Sequence, residues 1–199
     1  MLTIGITGGT GCGKTTLLNA VREAGGVVFD CDEIYHHLLI SDAAILAAIG
    51  NRFPGVVEDG ILNRRKLGTI VFSDETALLD LNRITHAAVK AEVLRLLERK
   101  PETAAIDAIA LFEGGLAELC DVTVAVTAPT ADRIRRLTAR DGISADYARS
   151  RIAAQHDGDW FRQRCDYVLE NDGNLTEFQS RCLAFLYKIG IMKENTKGV

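Results

Sequence analysis

The chain has 199 residues, 47% of them hydrophobic and 25% charged, a balance typical of a globular protein with one sizeable core. Its net charge of −4 argues against a protein that coats nucleic acid, and no apolar run reaches the roughly 20 residues that span a bilayer. Five widely spaced cysteines without a Cys-x-x-Cys pair give neither a zinc pattern nor a disulfide framework. Without a basic leader at the N-terminus, we expect a cytoplasmic monomer with free thiols that binds neither nucleic acid nor membrane.

Hydrophobic patterning predicts five short buried strands, at 2–7, 27–29, 104–110, 122–126 and 167–169. Helices are predicted at 15–24, 33–39, 42–49, 62–72, 75–98, 130–140, 144–156 and 176–189, with Thr130 and Ser144 as N-caps. The segment 53–60 is predicted to be a loop, and the tail 193–199 is expected to fray. This order predicts an α/β fold of the P-loop NTPase type, with a five-stranded parallel sheet flanked by helices. We expect one domain over 1–199, with a helical acceptor-binding insertion at about 33–100 and a lid at about 130–156.

Residues 8–15, GGTGCGKT, fit the pattern G-x-x-x-x-G-K-[ST] completely, and they lie between a predicted strand and a predicted helix. Glycines let the backbone curl so that its N–H groups and the helix N-terminus converge on phosphate groups. We predict that Lys14 reaches the β- and γ-phosphates and that the Thr15 hydroxyl holds Mg²⁺. The alternative, a glycine-rich turn that happens to contain lysine, does not account for eight matching positions. The predicted ATP-binding residues here are Gly8, Gly9, Thr10, Gly11, Cys12, Gly13, Lys14, Thr15 and Thr16.

Acidic residues follow the second and third predicted strands. Asp30 and Asp32 flank Cys31, and in an extended segment residues two apart project to one face. We predict that Asp32 is the base that orients an acceptor hydroxyl, whereas the alternative is a solvated turn with an aspartate helix cap. Asp107 and Glu113 flank the end of the third strand, where a carboxylate can serve Mg²⁺. Asp107 is the predicted metal ligand, and the alternative is a loop carboxylate without a metal role.

Four arginines, at positions 133, 135, 136 and 140, fall on one predicted helix, and spacing of four places Arg136 and Arg140 on a shared face. Guanidinium groups suit phosphate oxygens, so we predict that Arg136 binds ATP and that Arg140 neutralises the transferring charge. A solvated basic face is the alternative. The single Trp160 is expected to pack in the core or an interface rather than to stack on a base.

Several segments, in the right order, resemble the dephospho-coenzyme A kinase family over nearly the whole chain to about Gly173. The matching segments are 4–15 (IGITGGTGCGKT), 28–34 (VFDCDEI), 59–67 (DGILNRRKL), 81–86 (LNRITH), 107–113, 136–140, Gln155 and 166–173. Residues 59–67 are the most distinctive, because a general P-loop protein has no reason to carry them. Two positions depart from the family pattern, since Ala87 and Ile109 stand where the family usually has proline, and Gly114-Gly115 makes a looser loop.

The resemblance implies an enzyme that uses ATP and Mg²⁺ to phosphorylate the ribose 3′-hydroxyl of dephospho-coenzyme A, the last step of coenzyme A synthesis. It implies that Asp32 is the base, that the arginine helix belongs to the lid, and that Asn171 lies near the adenine of ATP. The acceptor-binding residues that it implies are Asp30, Asp32, Leu62, Asn63, Arg64, Arg83, His86 and Glu113. Two other readings stay open: a P-loop kinase of another small metabolite or nucleoside, and a nucleotide-dependent switch protein. The sequence has no Asn-Lys-x-Asp guanine signature, which argues against the switch.

Overall fold

A parallel five-stranded sheet forms the centre of the computed structural model, which describes residues 1–192. The strands are β1 Leu2–Thr7, β2 Val27–Asp30, β3 Val57–Glu58, β4 Ile61–Leu62, β5 Thr103–Asp107, β6 Val122–Thr127 and β7 Tyr167–Glu170. The large sheet has the order β2-β5-β1-β6-β7, and β3 and β4 form a separate antiparallel hairpin. The predicted fraying of 193–199 concerns residues outside the described range.

Helices cover both faces of the large sheet. They are α1 Lys14–Glu23, α2 Cys31–Ser41, α3 Ala43–Arg52, α4 Arg64–Val71, α5 Glu75–Leu97, α6 Thr130–Asp141, α7 Ala145–Ala153, α8 Gly158–Arg162 and α9 Leu175–Lys188. One apolar cluster joins α2 to α5 with β2 and β5, and a second joins α1 and α9 with β1 and β6. Because helices cover both faces, the central strands are buried on both sides, as their continuous apolar sequences predict. Within residues 1–192, no helix is both long and apolar enough to cross a bilayer.

The predicted α/β fold and its five parallel strands are confirmed, with differences at the ends of elements. The strand predicted at 104–110 is β5, which ends at Asp107, and residues 108–116 form a loop after it. The predicted loop 53–60 contains β3, which pairs with β4, so Leu62 lies in a strand and not in a helix. The connecting turn contains Asp59 and Gly60 at positive φ (51° and 75°), which suits a tight hairpin.

Two further predictions about helices are wrong. Thr130 does not cap α6, because it is already the first helical residue, and Pro129 stands in the cap position without a side-chain oxygen. The helix capped by Ser144 ends at Ala153, and a short separate helix, α8, follows it with Asp157 as its cap. The domain boundaries, the monomeric state and the cytoplasmic location stay predictions.

Candidate active site

A cavity with a volume of about 660 Å³ opens at the carboxyl ends of the parallel strands. Its walls comprise Gly9, Thr10, Gly11, Gly13, Lys14, Thr15, Asp32, Asp107, Ile109, Arg136, Leu137, Ala139, Arg140 and Arg151. We call this space the nucleotide cavity and residues 8–15 the P-loop. The cavity thus brings together the P-loop, two of the predicted carboxylates and both predicted lid arginines. Four predicted ATP-binding residues do not line it, namely Gly8, Cys12, Thr16 and Asn171.

The P-loop has a backbone that only glycine adopts readily at key points. Gly13 immediately precedes α1 with φ 99°, and a Cβ there would stand 2.3 Å from Nδ2 of Asn171. Gly8 has φ 133°, and a Cβ there would stand 2.2 Å from the carbonyl oxygen of Val126. The Lys14 ammonium donates to the Gly8 carbonyl at 2.9 Å, which holds this cation at the mouth of the loop. The resulting arrangement presents backbone N–H groups, the α1 N-terminus and one ammonium to the same space, as phosphate binding requires.

Buried polar side chains support the P-loop from behind. Arg133, which is only 7% exposed, donates from Nε to the Thr10 carbonyl at 2.9 Å. The Thr10 N–H in turn donates to Oε1 of Gln155 at 2.8 Å. Asn171, also 7% exposed, donates from Nδ2 to the Cys12 carbonyl at 2.9 Å. These contacts fix the loop conformation, so Arg133 is not part of a solvated basic face.

Asn171 and Arg136 therefore have structural contacts that the sequence did not reveal. Asn171 is buried behind the P-loop and does not line the nucleotide cavity, although it lies next to it. Arg136 does line the cavity, and its guanidinium donates to the carbonyls of Gly11, Cys12 and Asn171 at 3.3 Å. Direct contact of either side chain with ATP stays a prediction.

Asp30 and Asp32 differ in what their carboxylates do. Strand β2 ends at Asp30 and α2 begins at Cys31, so the prediction that the two carboxylates share one face of an extended segment is wrong. Oδ1 of Asp30 accepts the N–H groups of Asp32 at 2.9 Å and Glu33 at 3.0 Å, which makes Asp30 the N-cap of α2. Asp32 lies in the first turn of α2 and lines the nucleotide cavity. The cap thus orients the turn that carries Asp32.

Asp107 is a buried carboxylate whose surroundings suit the binding of a cation. It ends β5 opposite Asp30 of β2 and lines the nucleotide cavity with Lys14 and Thr15. Its Oδ1 is buried, and no residue of the described part of the chain hydrogen-bonds to it. Burial, together with the charges of Asp30 and Asp32, raises the pKa of Asp107 to about 6, although Lys14 opposes this shift.

The residues present fit a magnesium ion that arrives with a nucleotide. Within residues 1–192 there is no cluster of three or more His, Cys, Asp or Glu side chains that could hold a metal alone. Mg²⁺ at a phosphoryl-transfer site takes most of its ligands from phosphates and water, so one or two protein oxygens suffice. The unpartnered Oδ1 of Asp107 and the hydroxyl of Thr15, which lines the same cavity, could be such oxygens.

A second cavity of about 170 Å³ adjoins the first and shares Asp32 and Ile109 with it. Its lining combines apolar side chains with the polar groups of Tyr35, Thr85 and His86. The shared position of Asp32 places one carboxylate between a phosphate-binding loop and a separate, mainly apolar pocket. Ile109 also lines both cavities.

The predicted acceptor-binding residues do not all reach the second cavity. His86 lines it, and Arg64 lies close enough to Tyr35 to offset part of the burial that raises the pKa of this phenol. Arg83 points away, since its guanidinium pairs with Asp80 at 2.6 Å and 78% of its side chain is exposed. Leu62 and Asn63 lie before α4, where the Asn63 side chain accepts the Lys66 N–H as the helix cap.

Glu113 also lies outside this cavity. Its Oε1 is 2.7 Å from Nε2 of His156, whose ring stacks on Trp160 at 3.8 Å. The guanidinium carbon of Arg164 lies 4.2 Å from the Trp160 ring centroid, so this half-buried tryptophan packs against protein groups but belongs to neither apolar cluster. Glu113 therefore joins the loop after β5 to the segment after α7.

Sequence reasoning missed several residues of the site. Tyr35 and Thr85 in the second cavity and Arg151 in the first were not predicted. Arg151 lies on α7, and its position beside the Arg140 helix depends on how α6 and α7 pack. The only signal in the sequence was a basic residue four positions before Gln155, which lay in a segment already matched to the family.

The fold and the two adjoining cavities define a P-loop kinase. The family model described as dephospho-CoA kinase matches residues 2–177 of the chain. A dephospho-CoA kinase from Salinibacter ruber is 38% identical over 187 residues, which cover 91% of this chain and 94% of the relative. The chain belongs to the dephospho-CoA kinase family.

Solved structures share this fold. A crystal structure of a Thermus thermophilus protein has a TM-score of 0.79 and 32% identity, and the match covers 94% of this chain and 97% of the other. A dephospho-CoA kinase from Campylobacter jejuni has a TM-score of 0.67 over 94% of this chain and 96% of its own. At 23% identity, this second structure supports the fold alone.

Proposed function

We propose that this enzyme transfers the γ-phosphoryl group of ATP to the ribose 3′-hydroxyl of dephospho-coenzyme A, giving coenzyme A and ADP. Membership of the family supports the substrate and the reaction. The observation that carries the proposal is the position of Asp32 at the junction of the nucleotide cavity and the second cavity. A transferring phosphoryl group must pass between donor and acceptor at such a junction.

In this proposal, the donor side is held by the P-loop. Backbone N–H groups and the Lys14 ammonium bind the β- and γ-phosphates, and Arg140 neutralises charge on the transferring group from the other wall. The Thr15 hydroxyl and Asp107 would hold Mg²⁺, which neutralises phosphate charge when it is bound. Most of the rate enhancement then comes from positioning and electrostatics, because no covalent intermediate with the protein is needed.

On the acceptor side, Asp32 orients the 3′-hydroxyl and accepts its proton as the new bond to phosphorus forms. His86, Tyr35 and Thr85 are the polar groups that would bind the acceptor nucleoside beside the apolar lining. Helices α2 to α5 would form the acceptor-binding insertion, and α6 with α7 would form the lid. Six predicted acceptor-binding residues do not line the second cavity, so their contacts with the acceptor would have to come from a closed form; they are Asp30, Leu62, Asn63, Arg64, Arg83 and Glu113.

The test is the release of ADP from Mg·ATP with and without dephospho-coenzyme A, with the product identified by mass. We expect ADP release that depends on the acceptor, together with a gain of one phosphate on it. Lys14→Ala should abolish transfer without loss of folding, because Lys14 lies at the mouth of the P-loop and not in either apolar cluster. ADP release that ignores this acceptor would overturn the proposed substrate and leave a P-loop kinase for another hydroxyl compound.

A further inference from the structure

A single carboxylate, that of Asp141 at the end of α6, bridges two arginines. Nε of Arg140 donates to Oδ1 at 2.6 Å and Nη2 of Arg140 donates to Oδ2 at 3.0 Å. Nη1 of Arg151, on α7, donates to the same Oδ2 at 3.0 Å. The Asp141 carboxylate therefore links the two guanidinium groups across the α6–α7 junction, and both of them donate to its Oδ2 atom.

Both of these arginines line the nucleotide cavity together with Lys14 and the P-loop. A guanidinium has five N–H donors, of which Asp141 engages two on Arg140 and one on Arg151. The remaining donors can bind phosphate oxygens while the carboxylate keeps its hold. The arrangement thus presents a pair of oriented cations to the space where the triphosphate binds.

The position of Asp141 is a poor one for helix stability. An acidic side chain in the last turn faces the negative end of the helix dipole, which is unfavourable. Helix α6 ends at Asp141, and the next residue, Gly142, already caps it. Gly142 has φ 65° and donates its N–H to the Thr138 carbonyl. Hydrogen bonds from Arg140 and then Arg151 keep the pKa of Asp141 below its usual range, so the carboxylate stays charged at neutral pH. The hydrogen bonds of Asp141 therefore orient the two arginines and do little to stabilise the helix.

We propose that Arg151 is a second lid arginine for the phosphates of ATP and that Asp141 is the positioning residue that sets the spacing of Arg140 and Arg151. This inference rests on the proposed phosphoryl transfer and adds two residues to it. Without the shared carboxylate, each long arginine side chain would sample many rotamers, and fewer of them would place a guanidinium against the transferring phosphoryl group.

The first test compares Asp141→Asn with Asp146→Asn. Asp146 makes a similar ion pair with Arg149 on the outer face of α7 and does not line the cavity, so it is a matched control. We expect Asp141→Asn to lower kcat about tenfold or more, while the calorimetric Kd of ATP changes less than about threefold, since orientation matters most in the transition state. Asp146→Asn should leave both values unchanged. A kcat for Asp141→Asn within about twofold of the wild type would overturn the inference.

A second test uses Arg151→Gln and the combined variants. We expect Arg151→Gln to lower kcat at least as much as Asp141→Asn, and we expect Asp141→Asn to have little further effect once Arg140 and Arg151 are both glutamine. An equally large effect of Asp141→Asn in that background would overturn the positioning role. If Asp141→Asn fails to fold, Arg151→Gln still decides, because normal kcat in that variant would exclude Arg151 from the transfer. Failure of the proposed function would instead appear in the wild type, as ATP binding without coenzyme A formation.

Discussion

At the scale of single residues, Asp30 and Asp32 illustrate how two neighbouring carboxylates acquire separate roles. The Asp30 carboxylate is engaged by two backbone N–H groups at the start of α2. Asp32, by contrast, is a residue that lines both cavities. Since the cap fixes the turn that carries Asp32, the first residue controls the geometry of the second.

This division predicts different outcomes for two substitutions of Asp30. Asn caps helices as well as Asp does, so Asp30→Asn should keep kcat/KM within about threefold of the wild type. Asp30→Ala removes the cap, at a cost of about 1 kcal/mol, and frees the first turn of α2, so kcat should fall about tenfold or more. Steady-state kinetics and thermal unfolding of both variants check this. If Asp30→Asn lowered kcat as much as Asp30→Ala, the charge of Asp30 and not its cap would be what the reaction needs.

Sequence patterns located the residues whose function is tied to a local motif. Lys14 and Thr15 follow from the P-loop pattern alone, and Asp32 and His86 from segments that resemble the family. The cap role of Asp30 was an open alternative, because the end of β2 decides it and strand ends are uncertain by one or two residues. The unpartnered oxygen of Asp107 and the Arg140–Arg151 pair depend on long-range packing, which no local pattern reports.

At the scale of elements, the P-loop is held as much by what lies behind it as by its own glycines. Asn171, at the end of β7, fills the space against Gly13 and holds the Cys12 carbonyl. Arg133 of α6 donates to the backbone carbonyl of Thr10, and Gln155 accepts the backbone N–H of Thr10. The conformation of the P-loop therefore depends on contacts with three separate parts of the chain.

These contacts predict that Gly13→Ala disrupts the loop beyond the strain of its backbone. The new methyl group would meet Asn171 at 2.3 Å, so the loop or the buried asparagine must move. We expect ATP affinity to fall about 100-fold or more, because several backbone N–H groups would no longer converge on the phosphates. Gly25→Ala is the matched control, since Gly25 also has positive φ (85°) but has open space around it. That variant should lose only about 1–2 kcal/mol of stability and keep its ATP affinity. Equal affinities in the two variants, measured by calorimetry, would show that the clash with Asn171 is unimportant.

Elements were predictable where they are long or periodic. The five strands of the large sheet were found because each is a continuous apolar run next to glycine or an acidic residue. The β3–β4 hairpin was missed because strands of two residues carry no periodicity. Helix α8 was missed because its five residues continue the polar pattern after α7.

At the scale of the whole molecule, two apolar clusters share one sheet. The first contains the residues of α2 to α5 and the inner side of β2 and β5, and the second contains α1, α9, β1 and β6. Neighbouring residues of β5 belong to different clusters, since Ala104 and Ile106 face one and Ala105 faces the other. Because β5 contributes side chains to both clusters, neither face of the sheet can lose its packing without exposing the cluster on the other face. The proposed acceptor-binding insertion and the nucleotide-binding core should therefore unfold together.

The cysteines allow this to be measured, because Cys31 lies in the first cluster and Cys182 in the second. Burial raises the pKa of both thiols to about 12, so neither should react with iodoacetamide in the folded protein at pH 8. We expect mass spectrometry of samples alkylated in increasing urea to give one midpoint for the two cysteines, equal to the midpoint from circular dichroism. Labelling of Cys31 at a lower urea concentration than Cys182 would mean that α2 to α5 open as a separate unit. In that case acceptor binding, rather than the shared sheet, would be what holds this side of the enzyme closed.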